Sequence, residues 1–296
     1  MDRKKEITGH LVAIITIFIW GTTFISTKIL LETFSPIEIL FLRVTIAFVI
    51  LLVAYPHRLK IKDKRQELYF AAAGLCGIAL YHLLENIALT YTFASNVGVI
   101  ISVTPFFTAI LANRFLDGEK LRVQFFVGFA IAVVGIFFIS FNGDSNIQLN
   151  PLGDILAVLA AVAWAVYAIL TKKISSFQYN AIQSTRKIFF YGLVFMIPVL
   201  FVFGFKPDIN QIIKPVNLLN IVFLGVCASA LCFVTWNLAV KILGAVKTSV
   251  YIYMTPVITV ITSIIVLGET ITKAAVFGIL LTLTGLFISG FKHSAK

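Results

Sequence analysis

Charge is what this sequence has least of. Asp, Glu, Lys and Arg make up 12% of its 296 residues, and only 13 residues are acidic; soluble domains carry about twice that charged fraction. With 59% hydrophobic residues and a mean hydropathy of +0.99, a water-soluble globular fold is excluded. Cysteine is also scarce. Cys76, Cys227 and Cys232 all fall within apolar runs, which offers neither a disulfide framework nor a metal-ligand spacing. There is no Gly-rich phosphate loop of the Walker type, so ATP drive is not expected, and no HExxH or GxSxG pattern supplies a hydrolytic centre. No cofactor, metal or catalytic residue is therefore expected, and the chain does not read as an enzyme. The net charge of +11 is no nucleic-acid footprint. The basic residues cluster in short segments between apolar runs, where they report orientation in a bilayer.

What is present is a succession of apolar runs, each about 20 residues long, the length that a bilayer core of ~30 Å requires. Ten spanning helices are expected, over roughly 9–31, 37–55, 67–91, 95–114, 121–141, 152–171, 181–203, 217–240, 246–267 and 273–291. The first run is too long for a signal-peptide core and no small-residue cleavage site follows it. Ser35-Pro36-Ile37-Glu38 reads as a capping box with proline at the first helical position, which assigns Glu38 to a cap. Asn180 with Gln183 has the same form. The fold class is an all-α integral membrane protein.

The lysines and arginines orient it. Arg58, Lys60, Lys62, Lys64, Arg65, Arg114, Lys120, Arg122, Lys172 and Lys173 fall on one side, together with the basic residues of both termini. The other side holds only Lys28, Lys206, Lys214 and Lys273. The positive-inside rule then puts both termini in the cytoplasm, for a multi-pass protein of the plasma (prokaryotic inner) membrane.

The chain also says one thing twice. Asn86, Ala88, Ala94, Thr104-Pro105 and Gly118-Glu119 are answered by Asn237, Ala239, Ala245, Thr255-Pro256 and Gly268-Glu269. Trp20 answers Trp164, Arg43 answers Arg186, and Gly128 and Gly135 answer Gly278 and Gly285. Residues 1–146 and 147–296 thus form two repeats of five helices. Five is odd, so the second runs through the membrane in the opposite sense. Inverted repeats of this kind belong to secondary transporters, with the substrate site near the mid-plane where the repeats meet.

These doubled motifs resemble the EamA-type pattern of the drug/metabolite transporter superfamily. The likeness rests on Ala88-Leu89-x-Tyr91-Thr92, the two Thr-Pro pairs, the two Gly-Glu turns and Gly128-x-x-Ile131-x-x-x-Gly135. It implies ten helices and movement of small metabolites, often amino acids or related solutes. It also implies a central cavity ringed by the first, third, fourth, sixth, eighth and ninth helices, and neutral residues where this chain carries His82 and Glu85.

Candidate cavity residues follow from helical spacing. Thr16, Trp20, Thr23 and Thr27 share one face of the first helix, opposite Trp164 and Tyr167 on the sixth. Packing explains a Trp–Thr stripe about as well as a solute site does. On the third helix Tyr81, His82, Glu85 and Asn86 form the most polar stretch of any span, with His82, Glu85 and Asn86 on one face. Glu85 falls roughly 10 Å into the outer half at 1.5 Å per residue, where an ionisable group costs at least ~2.5 kcal/mol and faces the bundle interior or a wet cavity. The pair is a candidate for selectivity or proton coupling; the competing assignment is a structural hydrogen bond. Trp236 and Asn237 are its counterparts in the second repeat, and Tyr251 belongs to a polar stripe on the ninth helix. Arg43 and Arg186, within two turns of helix starts, are expected to snorkel to headgroups or loop carboxylates. Glycines at matching places on the fifth and tenth helices are expected to let backbones approach. Pro105 and Pro256 are expected to act as gating hinges, because each frees a carbonyl, that of Ile101 or Ile252. The function expected is a solute exporter working by alternating access. A channel-like facilitator is the alternative, and a membrane-embedded enzyme a more distant one. The expected partners are a small solute, the bilayer and a coupling proton, with the chain acting as a monomer or homodimer.

Overall fold

A computed structural model describes residues 3–91, 94–117, 123–140, 151–206, 208–267 and 273–290. All of its regular structure is helical. The chain forms α1 (Arg3–Leu31), α2 (Pro36–Ala54), α3 (Arg65–Tyr91), α4 (Ala94–Ile101), α5 (Thr104–Phe115), α6 (Val123–Ser140), α7 (Pro151–Ser176), α8 (Ala181–Phe203), the single turn α9 (Ile209–Ile212), α10 (Pro215–Leu243), α11 (Ala245–Ser249), α12 (Met254–Leu267) and α13 (Lys273–Gly290). Six of these are long and apolar enough to cross a membrane, namely α1, α2, α3, α7, α8 and α10; α6 and α13 contain shorter apolar stretches. Large apolar side chains such as Phe201 (84% exposed) and Ile265 (76%) remain on the outside, which hydrocarbon tolerates and water does not. The fold is that of a multi-pass membrane protein. Both Gly-Glu turns lie outside the described residues.

Local sequence explains the helix starts. Ser35 accepts from the Glu38 N–H while the Glu38 carboxylate accepts from the Ser35 N–H, so the capping box is formed in full. Asn180 caps α8 by accepting from Ile182 and Gln183 N–H groups. Gln183 does not complete a box there; its amide donates to the carbonyl of His57. The glycines of α6 and α13 bring two backbones together. A Cβ on Gly135 would meet the Thr282 N and Gly278 O, and one on Gly285 would meet Ala132 N and Gly128 O.

Two features are not readable from periodicity. Both α3 and α10 widen into π-helical turns, at Gly74–Leu80 and Phe223–Leu231. The Tyr81 N–H bonds back to Cys76 O and the Cys232 N–H to Cys227 O. Each wide turn absorbs an extra residue and rotates everything after it, a device often found next to functional positions. Tyr81-His82-Glu85 follows the first and Phe233-Trp236 the second. The chain also breaks before both prolines. Ile101 ends α4, Thr104 opens α5, and a tight 3₁₀ turn at Val250–Tyr253 precedes α12.

Candidate functional site

The site is assembled around an aromatic cluster. All three tryptophans of the chain meet in the bundle interior: Trp20 of α1 lies edge-on to Trp164 of α7 with ring centroids 5.1 Å apart, and 5.1 Å from Trp236 of α10. Tyr81 stacks obliquely on Trp164 at 4.7 Å. The Trp20 indole N–H donates to the Ala228 carbonyl at 2.8 Å, a carbonyl in the wide turn of α10. Beside this cluster is a cavity with ≈ 40 Å³ of free space. Ile17, Trp20, Thr23 and Phe24 of α1 form one wall, with Tyr81, His82 and Glu85 of α3 opposite Trp164. Ile101 and Ile252, the residues whose carbonyls the prolines orphan, both reach it, as does Thr255.

Its polar groups are buried. Glu85 is 6% exposed and His82 5%, and His82 Nδ1 lies 3.2 Å from Glu85 Oε2. The third charged group is Arg43 of α2, 3% exposed, whose Nε donates to Ser229 Oγ at 3.0 Å. Arg43 and Glu85, of opposite charge, both line the cavity, and among the described residues no ion pair closes between them. This corrects the expectation that Arg43 snorkels outward. The wide turn of α10 puts the Ser229 hydroxyl beside it, and Glu85 supplies a counter-charge inside. One signal pointed to it: buried charges of opposite sign within spans tend to pair, and among the span residues Arg43 was available to Glu85. Nothing in the sequence pointed to Ser229. Arg186, its counterpart, is buried as well, at 8% exposure. Its guanidinium donates to the carbonyls of Tyr55 and His57, closing the end of α2 rather than finding a carboxylate.

Two copies of one domain account for the chain. The model of the EamA-like transporter family matches residues 7–141 and again 151–291. The chain belongs to this family. It is 31% identical to an uncharacterized transporter of Archaeoglobus fulgidus over 280 residues, 94% of this chain and 97% of the other. It is 26% identical to a protein of Streptantibioticus cattleyicolor named a probable terminal-alkyne amino-acid exporter, covering 93% of this chain and 91% of that one. A solved crystal structure shares the fold with a TM-score of 0.76 at 19% identity, and the likeness covers 95% of both chains.

In this EamA-like transporter the remaining sequence candidates are dispersed. Trp236 is wholly buried in the aromatic cluster and does not reach the cavity. Tyr167 and Asn237 pair instead with each other, the tyrosine donating to Asn237 Oδ1 at 2.8 Å while the amide donates to Thr185. Asn86 turns from His82 and Glu85 and donates to the Pro36 carbonyl at the start of α2. Tyr251 lies near the N-terminal end of α1, with its hydroxyl 2.6 Å from His10 Nδ1. Trp236 and Asn237 follow the wide turn in α10 and lie off the cavity face, where Arg43 of α2 supplies a polar group instead. Nearby, Lys247 pairs with Glu6 at 3.5 Å. At its other end α1 is held by Lys28, which donates to the Leu89 carbonyl at 2.9 Å.

Proposed function

We propose that this transporter is a secondary carrier that exports a small metabolite, an amino acid or a related solute, by alternating access around the Trp20–Arg43–Glu85 cavity. The observation that carries this is a buried, charged cavity whose walls come from both family matches: Trp20, Arg43 and Glu85 from 7–141, Trp164 and Thr255 from 151–291. Ionisable groups are kept in spans at a cost and mark solute or ion paths. Ten spans in two inverted halves, 1–146 and 147–296, fit this reading, as do cytoplasmic termini in a plasma membrane. The name of the Streptantibioticus relative supports both the solute class and the outward direction. The free space of ≈ 40 Å³ falls far short of the ~300–1,000 Å³ of ligand pockets, so loading requires the walls to part. The ties at both ends of α1, to Tyr251 and Lys247 at one and to Leu89 at the other, are the contacts that must open in turn. Purified protein in proteoliposomes should show flux that saturates with solute and exchanges labelled for unlabelled solute. Flux that rises linearly without exchange would support a channel instead.

Orientation gives a direct check. A cysteine at Asn210 should react with an impermeant reagent on intact cells, and one at Asp63 only after the cells are opened. The reverse pattern would overturn the orientation.

The prolines give a second. The Thr104 hydroxyl donates to the Ile101 carbonyl that Pro105 leaves without its helical donor, and a tight turn does the corresponding work before Pro256. Pro105→Ala and Pro256→Ala restore a backbone donor at equivalent places in opposite halves. Accessibility of cavity cysteines should shift in opposite directions in the two variants. Equal shifts, or none, would make both prolines purely architectural.

A further inference from the structure

Building on the carrier reading, we propose that Arg43 is the anion-binding residue of the cavity and that the solute it selects bears a carboxylate, with its amino group facing Glu85. Arg43 lines the cavity at 3% exposure. Its one hydrogen bond, Nε to Ser229 Oγ at 3.0 Å, anchors the stem side of the guanidinium. Among the described residues neither Nη1 nor Nη2 has a hydrogen-bond or ion-pair partner. A guanidinium fork held away from bulk water without a protein partner leaves its N–H groups to whatever fills the cavity. Glu85 does not satisfy it: among the described residues no ion pair joins the two side chains, and Oε2 lies 3.2 Å from His82 Nδ1. Opposite charges therefore face one small cavity, each with bonding capacity left over. The Trp164 ring lines the same cavity, and among the described residues its buried Nε1–H has no acceptor.

This donor set discriminates between anions. A guanidinium fork donates two parallel hydrogen bonds to one carboxylate. A bound monoanion neutralises Arg43 and leaves Glu85 to be answered by a cation, which an ammonium on the same solute supplies. A phosphate dianion would bring two negative charges beside Glu85 against a single cation, with no second guanidinium in the lining. Trp20, Trp164 and Tyr81 then cover the apolar body, and their ring faces favour the cationic end. The carboxylate is oriented towards α2 and α10, the amino group towards α3.

The test is thermal stabilisation of the purified full-length protein by three matched series: the standard amino acids, their C-terminal amides and their deaminated acids, with inorganic phosphate alongside. At least one amino acid should bind, and its amide should bind at least ~30-fold more weakly, the value of one charge-assisted pair. Arg43→Gln should erase that difference by weakening the acid alone. Since Arg43→Gln by itself strands Glu85, the Arg43→Gln/Glu85→Gln double variant, which restores neutrality, should show the same loss. Amides that bind as well as acids, phosphate bound in their place, acid binding unchanged in either variant, or no stabilisation by any amino acid would each overturn the assignment. The carrier reading has its own readout, a Thr23→Cys cavity thiol that reacts from both membrane faces. If that exchange persists while the amino acids fail, only the role of Arg43 falls.

Discussion

Glu85→Gln should reduce transport at least roughly tenfold while folded protein still accumulates in the membrane. The substitution keeps the shape of the side chain and removes only its charge, leaving the buried Arg43 guanidinium with no counter-ion in the cavity. Removing one of two opposed buried charges leaves the other uncompensated, which is more damaging than replacing both, so Arg43→Gln/Glu85→Gln should be more stable than either single change. His82→Ala removes the group 3.2 Å from the carboxylate and should impair transport less, because it leaves both opposed charges of the cavity, Glu85 and Arg43, in place. If Glu85 carries the coupling proton, the pH dependence of transport disappears in Glu85→Gln and survives in His82→Ala. The assay uses whichever solute a thermal-shift screen of amino acids, amines and nucleobases identifies. Full activity with an unchanged pH profile in both variants would remove the pair from the mechanism.

The second large effect concerns stability. Gly135→Leu should be among the most damaging changes in the chain, because the atoms its Cβ would meet belong to the backbone of α13, Thr282 N and Gly278 O. A side chain can rotate away; a helix backbone moves only as a whole. Overpacking typically costs ~1–3 kcal/mol, and with rigid neighbours the upper end applies. That corresponds to a drop of roughly 10 °C in the melting temperature in detergent. Gly98→Ala is the control, since nothing lies within 4 Å of a Cβ there. It should be neutral or slightly stabilising. Equal melting of the two variants would contradict the close approach of α6 and α13.

The close approach of those two helices was legible from glycines at matching places in two apolar runs, because only hydrogen at Cα permits backbone contact. The cap at Ser35 was legible for a similarly local reason: its two hydrogen bonds join residues three apart. The His82–Glu85 contact was legible because neighbours one turn apart on a helix share a face wherever the helix lies. Trp236, Asn237, Asn86 and Tyr251 lie away from the cavity lining, which no local spacing reveals. Each is tied by contacts far off in sequence: Asn86 to Pro36, Asn237 to Tyr167 and Thr185, Tyr251 to His10 and Trp236 to Trp20.

By itself the sequence determined that this is a multi-pass, all-helical membrane protein of doubled pattern, with ionisable groups in its interior. Those properties depend on composition, run length and contacts within one turn. Only the tertiary structure decided which polar groups meet. The wide turns at Gly74–Leu80 and Phe223–Leu231 arise where helices pack closely, Gly77 against the ring of Tyr167 and Gly225 against Ile46. Each such turn resets the rotation of the residues beyond it. Whether Arg43 finds lipid headgroups or Ser229 and Glu85 is settled by that reset, which depends on contacts between residues as far apart as 186 positions and leaves no periodic trace in the chain.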